Sequence, residues 1–309
     1  MTRYIIKRLL ATFLSLWVVI TVTFFLMKAI PGDPFTQEKA LPQEILNSLY
    51  EHYKLNDPWY IQYFNYLKSI ITWNLGPSFK YKARTVNEII RNGFPISAIL
   101  GFEALLIALG CGITLGTISA IRQHKWQDYG AMVLAVLGIS VPSFIMAAFL
   151  QFIFAIKLDL LPVARWGTFE QSILPAISLA ALPTAFIARL TRANMIEVLR
   201  MDYIKTARSK GISETKVIMH HTLRNALLPV VTYLGTLTAN ILTGSFIIEK
   251  IFGIPGLGQW FINSITNRDY TVIMGITVFY SILLLIAILA VDIIYGWIDP
   301  RIKLEKNIL

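Results

Sequence analysis

Long apolar stretches alternate with short polar connections along the whole chain. Runs at 9–30, 96–121, 130–156, 226–248 and 272–298 each hold about 20 or more mostly apolar residues, enough to cross a ~30 Å hydrocarbon core as a helix. A further run at 172–190, with Pro175 and Pro183, is less hydrophobic. The charges of the connections argue for it. The tight loop 122–128 (RQHKWQD) and the long connection 189–224 are both basic, and without a span at 172–190 one of them would lie outside, against the positive-inside rule. The pattern predicts an all-α integral membrane protein with six transmembrane helices and both termini cytoplasmic.

The remaining segments follow from that frame. Residues 1–30 form the first transmembrane helix, with Arg3, Lys7 and Arg8 holding its start inside; the apolar run is too long for a signal peptide, so it reads as retained. Residues 31–95 read as an external helical cap. Within it 42–54 and 57–73 are short amphipathic helices, the second marked by Tyr60, Tyr63, Phe64, Leu67, Ile70 and Ile71 at spacings of three and four. The transmembrane core occupies 96–299, bends near Pro142, and includes a basic cytoplasmic loop at 192–224. Residues 300–309 form a cytoplasmic tail.

Composition agrees. Apolar residues make up 55% of the chain, charged residues only 15%, where a soluble domain carries about 25%, and mean hydropathy is +0.60. The net charge of +10 does not point to nucleic acid, because the bases gather at the ends of apolar runs, where they set orientation and meet anionic lipid heads. The single cysteine, Cys111, excludes an internal disulfide.

The search for chemistry is mostly negative. No Gly-x-x-x-x-Gly-Lys-Ser/Thr, His-Glu-x-x-His or Gly-x-Ser-x-Gly occurs, so neither a phosphate-binding loop nor the common hydrolase signatures are present. The chain reads as no enzyme. With four histidines, two of them the neighbours His220 and His221, it offers no metal site, and no cofactor of its own is expected. Two acids lie inside predicted spans, Glu103 and Asp292, and are candidate intramembrane polar positions. Glu103 is either an interior packing group or part of a substrate path. Asp292 is expected to pair with Arg189 or Arg192. So few intramembrane charges disfavour a self-sufficient proton- or sodium-driven transporter.

The connection 189–224 carries the strongest signal. Its eight bases (Arg189, Arg192, Arg200, Lys205, Arg208, Lys210, Lys216, Arg224) face three acids (Glu197, Asp202, Glu214). A helix over 192–210 is expected to end at Gly211, which can take the positive φ of a helix C-terminus, and Ser213 to cap a second helix running to about Arg224. Within this connection stand Asp202-Tyr203-x-Lys205-Thr206-Ala207-Arg208-Ser209-Lys210-Gly211 and His221-x-Leu223-Arg224-Asn225-Ala226. They resemble the cytoplasmic coupling loop of permease subunits of binding-protein-dependent ABC importers, most closely the oligopeptide and dipeptide branch. In place of that loop's general Glu-Ala-Ala stand Lys205, Thr206 and Ala207, and Arg224 stands where many members have proline. The likeness extends over nearly the whole chain, through Pro31-Gly32-Asp33-Pro34, Asn74-Leu75-Gly76-x-Ser78, Ser140-Val141-Pro142-Ser143-Phe144, Leu160-Leu161-Pro162-Val163, Glu249-x-Ile251-Phe252-x-Ile254-Pro255-Gly256-Leu257-Gly258 and Val291-Asp292-x-x-Tyr295-x-x-x-Asp299-Pro300-Arg301.

The resemblance implies a pore-forming subunit of an ATP-driven importer of di- or oligopeptides in the bacterial cytoplasmic (inner) membrane. Nickel or glutathione is the alternative cargo within the same branch. It implies a second homologous permease, two cytoplasmic ATPase subunits that bind the ATP and Mg, and an extracytoplasmic peptide-binding protein as partners. The loop residues Asp202, Tyr203, Lys205, Thr206, Ala207, Arg208, Lys210, Gly211, His221, Leu223 and Asn225 would form the ATPase-coupling surface. Ala207 and Gly211 would allow close approach, and Arg208 and Lys210 would offer charge to the partner.

Overall fold

A computed structural model describes residues 2–30, 47, 50–52, 54–81 and 84–298; the Pro31–Pro34 motif, most of the expected helix at 42–54, Asp299 and the tail 300–309 lie outside the described residues. The described residues contain no strand, only an isolated bridge between Pro77 and Thr85. The helices are α1 (Thr2–Ala29), α2 (Trp59–Ile71), α3 (Val86–Ile121), α4 (Trp126–Ser140), α5 (Ser143–Leu150, continued by a π-helical turn Gln151–Lys157), α6 (Phe169–Leu199), α7 (Asp202–Ser209), α8 (214–226, with a π-helical turn at Val217–Thr222), α9 (Leu228–Phe252), α10 (Leu257–Asn267) and α11 (Tyr270–Ile298).

Four of these contain stretches long and apolar enough to cross a membrane: Ile6–Ala29, Val86–Ile121, Phe169–Leu199 and Tyr270–Ala290. Together α4 and α5 make a fifth candidate, but the chain bends by 109° between them. The expected bend near Pro142 is therefore a sharp corner. Its cause is local: Pro142 forces Val141 out of the helical region to φ −92°, ψ 118°, and itself sits at φ −54°, ψ 140°, so two extended residues separate the helices. Helix α9, at 25 residues, spans about 37 Å along its axis.

Several boundaries differ from the sequence expectation. Helix α3 starts at Val86 and runs through Pro95 instead of beginning after it. Helix α6 continues to Leu199, and the chain breaks at Arg200–Met201, so the helix expected over 192–210 is two helices, α6 and α7. The stretch between the apolar runs 226–248 and 272–298 holds the amphipathic helix α10.

The chain divides into two compact units, 1–96 with 255–286, and 97–254 with 287–309. In the first, α2 lies on α1 through Phe24, Phe25, Tyr63 and Tyr66, and the Tyr63 and Thr21 hydroxyls are 2.7 Å apart. The buried Asp269 carboxylate, just before α11, accepts hydrogen bonds from the Ser78 hydroxyl, the Phe79 N–H (3.2 Å) and the Thr271 hydroxyl (3.0 Å). Those bonds tie the 77–81 loop to the start of α11. Beside them Tyr81 packs edge-on against Trp260 of α10 at 4.9 Å.

The second unit is built around α6, which packs against α3, α4, α5 and α9. Small residues set how close its neighbours come. A Cβ on Gly116 of α3 would stand 2.5 Å from the Ala188 carbonyl oxygen and 2.7 Å from the Thr191 Cβ; one on Gly112 would meet Ile187 at 2.8 Å; one on Gly138 of α4 would meet Ala181 and Ala185 at 3.0 Å. These contacts also fix direction. Positions 112 and 116 meet 184–187 and 188–191 in rising order, so α3 runs parallel to α6. Position 138 meets 181–185 while Asp128 meets Arg192, so α4 runs antiparallel to α6. The ends of α3 and α6 thus lie at the same end of this unit.

Candidate functional site

Beyond Leu199 the chain forms a compact helical knob. Met201 takes an extended conformation at φ −67°, ψ 147°, which ends α6 and starts α7 with Asp202 in its first turn, where a negative charge favours the helix N-terminus. Gly211 follows α7 at φ +74°, and the bond from the Ile212 N–H to the Ala207 carbonyl closes the turn. Ser213 occupies the N-cap position of α8, but its side chain makes no capping bond.

The knob has its own small core: Ile204 and Ala207 of α7 pack on Val217 of α8, with Val198 and Ile212 around them. A second cluster seats the knob on the membrane helices, Ala226 of α8 against Met195 of α6 and Ala120 of α3, with Leu223, Ile218, Ile196 and Val198 at its edge. Burial of these aliphatic side chains holds α7 and α8 to the end of α6. Polar contacts add direction: Asn225 Nδ2 donates to the Tyr203 hydroxyl (2.8 Å) and to the His221 carbonyl (3.1 Å), joining the two helices.

The sequence-predicted loop residues come together here with divided roles. Tyr203, Lys205, Thr206, Lys210 and Gly211 are exposed on the knob. Asp202 is exposed and paired with Lys205 at 2.8 Å, which holds its carboxyl below the usual range. The Thr206 hydroxyl donates to the Asp202 carbonyl at 3.0 Å. Ala207 faces the knob's own interior, so its small size serves the α7–α8 contact. Arg208 is held by Glu214 through two bonds of 2.6 and 3.1 Å, which raise the guanidinium pKa and lower the carboxyl's, so this charge is paired on the knob surface. Leu223 is part of the seat, and His221 is half-buried. Tyr203 and Met219, each about half exposed, are apolar contributions to the outer surface.

Of the intramembrane acids, Glu103 lies in α3, half-buried, with its Oε2 out of solvent and without a hydrogen-bond partner among the described residues. Asp292 falls within α11, but its side chain lies outside the described residues. Arg192, expected as a partner for Asp292, is engaged elsewhere: its Nε and Nη2 donate to the two carboxylate oxygens of Asp128 at 2.7 and 2.8 Å. Asp128 also accepts from the Ser119 hydroxyl and from the His124 N–H (3.0 Å). Sequence reasoning assigned Asp128 to a tight loop and missed this buried pair. The one available signal was an acid alone among the bases of that loop. Among the described residues no group of three or more His, Cys, Asp or Glu side chains could hold a metal ion.

Comparison with known proteins gives the family. Residues 112–304 match the model for the binding-protein-dependent transport system inner membrane component, and 1–100 match that for the N-terminal part of such membrane components. The chain is 53% identical over 307 residues to the dipeptide transport system permease protein DppB of Bacillus subtilis, covering 99% of this chain and all of that one. It is 43% identical over 305 residues to the oligopeptide permease protein OppB of Escherichia coli, covering 98% and 100%. Among solved structures an amino acid ABC transporter and the inward-facing MetNI methionine ABC transporter each superpose with TM-score 0.53 at 17% identity. Both cover 68% of this chain, and 94% and 96% of theirs, a likeness of fold. The chain is a multi-pass membrane protein belonging to the family of inner-membrane components of binding-protein-dependent transport systems.

Proposed function

We propose that the chain is one of two permease subunits of an ATP-driven importer that moves di- or oligopeptides across the bacterial inner membrane. The observation that carries this reading is the near-complete match to a dipeptide permease, 53% identity across 99% of the chain. Peptide reaches the complex on an extracytoplasmic binding protein. ATP and Mg bind to two cytoplasmic ATPase subunits, and this chain contributes no catalytic group and no cofactor.

The knob at 202–226 is the coupling element. There two short helices follow the end of α6 with a surface that is both basic and dotted with apolar side chains, a pattern suited to a protein groove. Asp202, Tyr203, Lys205, Thr206, Lys210 and Gly211 form its outer face, while Ala207, Leu223 and Asn225 hold it together.

The reading includes six crossings with both termini cytoplasmic, and the direction of the helices supports it. Because α3 and α6 are parallel and their ends adjoin, the 122–125 turn and the knob share a side. Helix α6 must then begin on the opposite side, so the cornered pair α4–α5 carries the chain across as a broken span. A re-entrant hairpin would return the chain to the wrong face. This arrangement also leaves both basic connections inside.

The test is purification of the tagged chain from its native membrane in mild detergent, followed by transport in liposomes. The reading predicts recovery of a second permease, two ATPases and a peptide-binding protein, and uptake of a labelled dipeptide that needs ATP inside. Recovery of the chain alone, with uptake driven by an ion gradient, would overturn it.

A further inference from the structure

The ion pair between Asp128 and Arg192 lies outside the knob, where α3, α4 and α6 meet close to the knob's seat. Arg192 sits two turns before the end of α6, just above the point where α7 and α8 are seated through Met195, Val198 and Ala226. Asp128 opens α4, and its carboxylate, 3% exposed, also takes the Ser119 hydroxyl from the last turns of α3 and the His124 N–H from the turn between them. That turn is itself strained, with His124 at φ +63°. One carboxylate therefore joins α3, the 122–125 turn, α4 and α6.

The other contacts among these helices are of a different kind. Gly112, Gly116 and Gly138 let α3 and α4 press closely on α6 through van der Waals contact, which has no preferred direction of its own. A bidentate guanidinium–carboxylate fork is directional: it fixes both the register and the rotation of α6 relative to the 119–128 turn. The second cluster includes Ala120, next to Ser119, so the end of α3 touches both the ion pair and the knob's seat.

We propose that Asp128 and Arg192 are positioning residues that make α3 and α4 follow α6 when the knob is displaced, so that ATP hydrolysis is converted into movement of the membrane helices. The proposal rests on the importer reading above. It assigns to this pair transmission alone: neither residue meets substrate or nucleotide in the scheme. Loosening the pair should let the knob move without the helices, so that ATP is consumed without transport.

The test uses the complete importer with its partner subunits in proteoliposomes, recording labelled dipeptide uptake and ATP hydrolysis together. Asp128→Asn keeps the shape but removes the charge. It is expected to lower peptide moved per ATP by about five-fold or more while the ATPase rate changes by less than about two-fold, the size of an ordinary coupling between sites. Arg192→Lys keeps the charge, loses the fork, and should fall between. A purely structural role predicts less assembled complex with an unchanged ratio, and that outcome overturns the proposal. Should Asp128→Asn fail to assemble, Ser119→Ala removes a single donor and is expected to lower the ratio by about two-fold; an unchanged ratio there also overturns it. A wild-type complex without ATP-driven uptake would overturn the importer reading and this inference together, whereas wild-type transport with unaltered variant ratios overturns the inference alone.

Discussion

Two arginine–carboxylate pairs, one at the membrane end of α6 and one on the knob, use the same chemistry in different surroundings. Arg192 and Asp128 meet at 2.7 and 2.8 Å with the carboxylate 3% exposed; Arg208 and Glu214 meet at 2.6 and 3.1 Å with the carboxylate 56% exposed. The distances barely differ. The environment does. Asp128 is surrounded by three donor groups and no solvent, so losing its partner strands a buried charge. Glu214 can turn to water. The buried pair is therefore a structural joint, while the exposed one adjusts a surface and is screened by salt.

The largest expected effect breaks the buried side of that comparison. Asp128→Ala should lower the stability of the purified chain in detergent by about 3 kcal/mol. That is the lower end of the cost of removing one partner of a buried pair, because Arg192 keeps some solvent contact. Thermal unfolding in detergent measures it, and a loss below about 1 kcal/mol would place this pair in the class of exposed ones.

Gly116→Ala comes next and asks whether close packing or the ion pair holds α3 to α6. The added methyl meets a backbone oxygen at 2.5 Å, which cannot yield as a flexible side chain could, so about 2 kcal/mol should be lost. Combined with Asp128→Ala the losses should not add, since both loosen the same interface; additive losses would show that the two contacts act independently.

Gly211→Val sharpens the knob side. Nothing lies within 4 Å of an added Cβ, so the cost is the φ of +74° alone, about 1–2 kcal/mol, and falls on the knob while the membrane helices stay folded. Hydrogen exchange should quicken at 202–226 and stay unchanged in α3 and α6.

Glu214→Gln should have the smallest effect, under about 1 kcal/mol, and weaken further in high salt. Its pH dependence has a definite sign. Arg208 holds the Glu214 carboxyl below its ordinary value, so the pair's contribution is complete above the ordinary carboxylate range, near about pH 4.3, and fades as pH falls through the lowered value. Hydrogen exchange of the knob should therefore distinguish wild type from variant at neutral pH and cease to do so in strong acid.

The same contrast explains how much was legible in the sequence. Local features read well: the apolar runs, α2 with its aromatic stripe, the position of the Pro142 corner and the glycine that ends α7 each depend on neighbours in the chain. The size of the corner did not, because a proline marks a break without stating how many residues leave the helical region, here Val141 and Pro142. The second apolar run starts at 96 in the sequence, yet α3 begins at Val86 and runs through Pro95, since surrounding helical residues outvote one missing N–H. The knob residues were named as a set, but Ala207, expected to allow close approach of a partner, faces the knob's own core, and Arg208 is paired with Glu214 on the surface. The joint at Asp128 was out of reach, since its partner is 64 positions away; so was Asp269, 191 positions from Ser78. Pairings at such separations leave no trace in periodicity or spacing.

The central claim is that this chain moves peptide only when partner ATPases act through the knob. The most direct measurement is labelled dipeptide uptake into liposomes holding the purified complex, with ATP inside, compared with liposomes holding this chain without the ATPases. The account predicts uptake in the first and none in the second, under any ion gradient. Uptake by the chain alone would contradict it.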